Sequence, residues 1–86
     1  MIFVGRKPIS IYITRAITIL SAFPEVRVIA RGRFVAKAIS VATRLARATG
    51  CRYEVKIDEE EFQSDDQTRR VAKIEIRLLK PQELKA

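Results

Sequence analysis

The sequence predicts an α/β fold, a single small two-layer sandwich of βαβαββ order with an extended β-hairpin arm. Alternation of apolar and polar residues, the mark of a strand, recurs at residues 26–31, 53–58 and 72–78. Apolar residues at helical spacing fill 9–23 and 33–49. With 86 residues and 48% hydrophobic content, residues 1–86 read as one domain with a modest core, of a size often helped by dimerisation.

The first strand is Ile2-Phe3-Val4, short, buried and stopped by Gly5, and Pro8 suits the first position of a helix. From Ile9 to Phe23 two periods compete. Ile9, Tyr12, Ile13, Ala16, Ile17 and Leu20 share a helical face, whereas Ile9, Ile11 and Ile13 alternate as in a strand. Length favours the helix, because about fifteen residues separate Pro8 from Pro24 with no turn signal.

Pro24-Glu25 makes a turn into a strand with Val26, Val28 and Ala30 on one face and Arg27, Ile29 and Arg31 on the other. Gly32 lets the backbone swing into the second helix, expected from Arg33 to about Thr49. Its apolar stripe is Val35, Ala38, Ile39, Ala42, Leu45 and Ala46. Its opposite stripe, Arg33, Lys37, Ser40, Arg44 and Arg47, contains no acid and spans about 21 Å. A solvated helix face usually mixes both signs in i,i+4 pairs, so a row of cations suggests an outside anion.

Gly50 ends that helix. Tyr53, Val55 and Ile57 alternate with polar residues, as do Ala72, Ile74, Ile76 and Leu78, giving two half-buried strands of an antiparallel hairpin. The connection, residues 59–70, has little to bury and should protrude as an arm or loop. The tail after Lys80-Pro81 is expected to fray.

The net charge of +7 is unevenly spread. Residues 1–50 hold nine Lys or Arg against one acid, and residues 51–86 hold eight against nine. A basic body of this kind points to a polyanion, most often nucleic acid. Two turns sharpen the point. Gly5-Arg6-Lys7-Pro8 and Arg31-Gly32-Arg33 each stand between a strand and a helix. A helix N-terminus is already partly positive, with N–H groups unpaired. Cations repeated there fit an external anion, and phosphate suits both the helix start and the guanidinium fork.

Other chemistries are excluded or weaker. The absence of His removes Cys/His zinc sites and His-based triads, and the lone Cys51 cannot form an internal disulfide and reads as a packing residue. No cofactor is expected. The acidic stretch 58–66 could hold Mg²⁺ as a nuclease would, but a charge run on a loop is usually a solvated face. No apolar run is long enough to span a bilayer, and Met1-Ile2-Phe3-Val4 is too short for a signal peptide, so a cytoplasmic location is expected.

Three motifs resemble the Alba family of archaeal chromatin and nucleic-acid-binding proteins: Phe3-Val4-Gly5-Arg6-Lys7-Pro8, Ala30-Arg31-Gly32-Arg33 with Lys37-Ala38, and Lys73-Ile74-Glu75-Ile76. The likeness covers nearly the whole chain. It implies the βαβαββ fold, a homodimer or a heterodimer with a paralogue, and association with the chromosome. It implies binding of double-stranded DNA with little sequence preference, and relatives also bind RNA. By the same likeness Lys7 is a central contact and an acetylation site, Arg31 and Arg33 form the basic loop, and Lys37 is a basic position on the second helix. Arg6 and Arg44 extend this basic surface. The arm is more acidic than the family's usual one, which leaves Arg69 and Arg70 as its contacts.

The leading expectation is therefore sequence-nonspecific binding of duplex DNA through phosphate contacts. The alternative is RNA binding, as a ribonucleoprotein subunit, although single-strand base recognition is weakened by aromatics (Phe3, Tyr12, Tyr53) that suit the core better than a base-stacking surface.

Overall fold

The computed structural model describes residues 1–81, so the tail expected to fray lies, from residue 82 onward, outside the described residues. The elements are β1 (Ile2–Phe3), α1 (Ile9–Ala22), β2 (Glu25–Arg31), a 3₁₀ turn (Gly32–Phe34), α2 (Val35–Thr49), β3 (Arg52–Ser64) and β4 (Gln67–Leu79). This is the expected βαβαββ order. The strands form one mixed sheet in the order β1-β2-β4-β3, with β1 and β2 parallel and the other pairs antiparallel.

In α1 the helical period prevails over the alternating one, and Tyr12, Ala16 and Leu20, four residues apart, are buried. Ile17, expected on the same face, is 46% exposed because it stands at the rim of that stripe. Pro24 and an extended Phe23 end the helix, with the Phe23 N–H bonded to Ile19 O at 2.8 Å.

The second helix begins two residues later than expected, since Gly32–Phe34 tightens into a 3₁₀ turn first. Gly32 has φ +58°, a left-handed conformation that side chains disfavour. The buried row of α2 is Ala38, Val41, Ala42 and Leu45, whereas Ile39 is 44% exposed. Val41 therefore replaces Ile39 in the core. Gly50, left-handed at φ 74°, closes α2 through its N–H to Ala46 O.

The core lies between the two helices and one face of the sheet, and it holds no buried polar or charged residue among those described. Rows run straight across β2 and β4: Val26 opposite Leu78, Val28 opposite Ile76, Ala30 opposite Ile74. These six are all buried. The rows continue onto β3 with Tyr53, Val55 and Ile57. Here the expectation of a half-buried strand fails. Tyr53, Val55 and Ile57 are 54%, 52% and 77% exposed. They lie on the helix side of the sheet, but α2 packs mainly over β2 and β4 and leaves the edge strand uncovered.

Of the arm or loop expected at residues 59–70, the structure has the arm. The β3–β4 ladder continues from Arg52 opposite Leu79 to Ser64 opposite Gln67 and turns at Asp65-Asp66. Asp65 takes φ 53°, which aspartate tolerates better than most residues. Beyond the Asp58–Lys73 pair the ribbon extends about 20 Å at roughly 3.3 Å per residue, and the molecule measures 60 Å along its longest axis. No helix among the described residues is long and apolar enough to cross a membrane.

Candidate nucleic-acid interface

Parallel pairing of β1 with β2 gathers the basic turns. Ile2 faces Val28 and Phe3 faces Ile29, so both strands finish at the same end of the sheet. Gly5-Arg6-Lys7-Pro8 follows one strand and Arg31-Gly32-Arg33 closes and follows the other. The arm projects past that same end, because Arg31 at the end of β2 pairs with Lys73 at the arm's root. Turns 24 residues apart in sequence (Lys7 to Arg31) thus meet at one edge.

The first turn is clamped from inside the fold. The Tyr12 hydroxyl, at the top of α1, accepts hydrogen bonds from the Gly5 N–H (2.8 Å) and the Lys7 N–H (3.1 Å). Lys37 Nζ, from the first turns of α2, donates to Gly5 O at 2.7 Å. With its backbone groups held, the turn leaves Arg6 and Lys7 exposed, and neither forms an ion pair among the described residues. Helix α1 then starts with no side-chain cap and no acid in its first turn. Lys37 differs from its expected role as an outward contact. Its ammonium is committed to the turn, and the side chain is only partly exposed.

In the second turn Arg33 is exposed, rests over the Phe34 ring at 5.0 Å from its centre, and has no ion-pair partner among the described residues. The start of α2 likewise lacks a cap and an acid. Arg31 is placed differently. Strand alternation sends it to the helix-free face, where its Nε and Nη2 donate to Glu60 Oε1 at 3.1 and 2.9 Å. Lys73 Nζ reaches the same oxygen at 3.1 Å. Hydrogen bonds from Arg31, then Lys73, hold the Glu60 carboxyl below its ordinary pKa of 4.5. Neither Lys73 nor Glu60 was expected as a partner of Arg31, because the β2–β4–β3 register that joins them is not written in any strand alone.

The remaining expected residues are more dispersed. Arg44 and Arg47 are exposed and unpaired among the described residues, but Arg44 lies about 16 Å along the helix from Arg33. Arg47 borders a groove with Thr43, Ala46 and Tyr53, on the β3 side. On the arm, Arg69 has no ion-pair partner among the described residues, while Arg70 Nε meets Glu61 Oε1 at 3.2 Å.

The acidic stretch does not assemble a metal site. Pleating divides it, with Asp58 and Glu60 on one face of the ribbon and Glu59 and Glu61 on the other. Among the described residues no three His, Cys, Asp or Glu side chains converge to hold a metal ion. The aromatics also depart from expectation. Tyr12 is in the core, but Phe3 and Tyr53 are 57% and 54% exposed. Each sits on an edge strand, Phe3 on the helix-free face beside the buried Ile29 and Tyr53 beyond the reach of α2.

A family model described as Alba matches residues 1–57. The chain is 38% identical over 86 residues to "DNA/RNA-binding protein Alba" of Nitrosopumilus maritimus (strain SCM1), covering 94% of this chain and 90% of the relative. Its fold is similar to the solved structure of Alba from Thermoplasma volcanium, with TM-score 0.79, 29% identity, and 92% and 98% of the two chains covered. It is also similar to the crystal structure of ALBA1 from Trypanosoma brucei, with TM-score 0.70, 25% identity, and coverage of 92% and 67%.

Proposed function

The chain belongs to the Alba family, and on that premise we propose that it binds double-stranded DNA through the phosphate backbone, with little sequence preference, as an architectural protein of the chromosome. Family membership sets it among nucleic-acid-binding proteins rather than enzymes. The observation that carries the reading is the convergence of Arg6, Lys7 and Arg33 at one end of the sheet, exposed and free of carboxylate partners among the described residues. The two helices that follow these turns start with no side-chain cap and no acid in the first turn, so no carboxylate there opposes a phosphate. Phosphates attract such donors equally whatever the base, so affinity arises without sequence readout.

A dimer is part of the same proposal, either of two copies or with a paralogue. Its support is the uncovered apolar strip Tyr53, Val55 and Ile57 beside the exposed Ile39 of α2. Solvent-facing β-branched and aromatic residues on an edge strand favour a covering partner. Pairing two copies would double the number of basic turns. The Nitrosopumilus maritimus relative is a DNA/RNA-binding protein by name, and phosphate chemistry is shared by both polymers.

Duplex binding measured over a range of salt tests the reading. With about four to six cations per dimer on phosphates, the log–log slope is expected near −4 to −5. A binding constant indifferent to salt rules the reading out. Titration of folded RNA at the same salt tells which polymer is preferred.

A further inference from the structure

We propose that Arg31 and Lys73 form a phosphate seat whose resident anion is the Glu60 carboxylate, so that this chain carries an internal competitor for the nucleic-acid backbone. The inference rests on the nucleic-acid-binding reading above and adds Lys73 and Glu60 to it. One oxygen, Glu60 Oε1, accepts from Arg31 Nε at 3.1 Å, Arg31 Nη2 at 2.9 Å and Lys73 Nζ at 3.1 Å. A guanidinium edge and an ammonium converging on a single anionic oxygen are the donors that hold a phosphate oxygen.

The position fits as well as the chemistry. Arg31 ends β2 where both basic turns emerge, and Glu60 lies at the root of the arm that projects past them. The seat is open: the side chains of Arg31, Lys73 and Glu60 are 39%, 29% and 30% exposed. An exchange of one anion for another therefore needs no unfolding, and an ion pair this accessible contributes little to stability. Glu60 is charged at neutral pH, since its carboxyl lies below the ordinary value of 4.5 beside these two cations.

The consequence is a weakened polyanion response. When a phosphate takes the seat, the displaced Glu60 carboxylate stays beside the incoming charge and gathers cations of its own, so the net release of counterions from the duplex is smaller than at an unpaired cation. Glu60 thus lowers both the affinity and the salt slope below what the cation count implies.

The test compares wild type, E60Q, R31Q and the E60Q/R31Q double variant with a labelled mixed-sequence DNA duplex over a range of salt. Glutamine keeps the side-chain shape and removes the charge. Thermal melting checks that each variant is folded, and Glu60→Thr, which suits a strand, serves should E60Q melt far below wild type. Asp58, opposite Lys73 in the ladder, remains near that ammonium, so E60Q is expected to free Arg31 more than Lys73. E60Q is expected to bind about fivefold or more tightly near 0.1 M salt, with a slope steeper by about 1–2. Arg31→Gln is expected to cost more affinity in the E60Q background than in wild type. Equal affinity and slope for E60Q and wild type, with wild-type binding intact, overturns the seat alone. Absence of duplex binding by both overturns the seat together with the functional reading.

Discussion

The ammonium of Lys37 stands 5.6 Å from the centre of the Tyr12 ring, and these two side chains grip opposite polar groups of one turn. Lys37 takes the Gly5 carbonyl while the Tyr12 hydroxyl takes the Gly5 and Lys7 N–H groups. Tyr12 comes from α1 and Lys37 from α2, so the packing of the helices is transmitted directly to the shape of the Arg6-Lys7 corner.

Tyr12→Phe removes the acceptor of two N–H groups and no charge. It is expected to destabilise the fold by about 1–3 kcal/mol, read by urea denaturation. It is also expected to weaken duplex binding while leaving the salt slope close to that of wild type. A folded Tyr12→Phe protein with unchanged affinity contradicts a positioning role.

Replacing Lys7 and Arg33 together with Ala is expected to weaken all duplex sequences alike and to flatten the salt slope by about 0.9 per lost phosphate contact. Lys7→Gln, which copies the charge loss of acetylation, should give roughly half of that change in slope. Loss confined to one sequence points to base readout instead.

Ile57→Asp places a charge on the uncovered strip of β3. The wild-type chain is expected to sediment as a dimer at micromolar concentration and the variant to shift toward monomer, with little change in thermal stability extrapolated to the monomer. A monomeric wild type removes the dimer from the proposal.

Acid should loosen two contacts that tie strands together on the helix-free face. Arg77 lowers the Glu25 pKa, chiefly by hydrogen bonding, and Arg31 and Lys73 do the same for Glu60. A carboxyl with a depressed folded pKa contributes stability above its unfolded value, near 4.5, and that stability fades as pH falls through the folded value. The melting temperature is therefore expected to fall below about pH 4.5. The fall should be shallower in a Glu25→Gln, Glu60→Gln double variant. Parallel curves for variant and wild type show that other carboxyls control the acid limit.

The element order and the two basic turns could be read along the chain because each depends on neighbours in sequence. Pro8, Pro24, Gly32 and Gly50 punctuate the helices, and period distinguishes β4 from α2. Phe3, Ile39 and Tyr53 are exposed against expectation. Hydrophobicity marks a residue as seeking cover, but whether cover exists depends on which face of the sheet the residue takes and on what packs across that face.

Local pattern was enough to establish a small α/β chain with paired cationic corners, since a helix start and its charges are a few residues long. Their convergence, the commitment of Lys37 to an inner clamp, and the capture of Arg31 by Glu60 came from strand register and helix packing. Those bring residues 29 and 32 positions apart to within hydrogen-bonding distance. Charge acts through space, so a side chain that is cationic in the sequence is available to a phosphate only where folding leaves its own carboxylates and carbonyls out of reach.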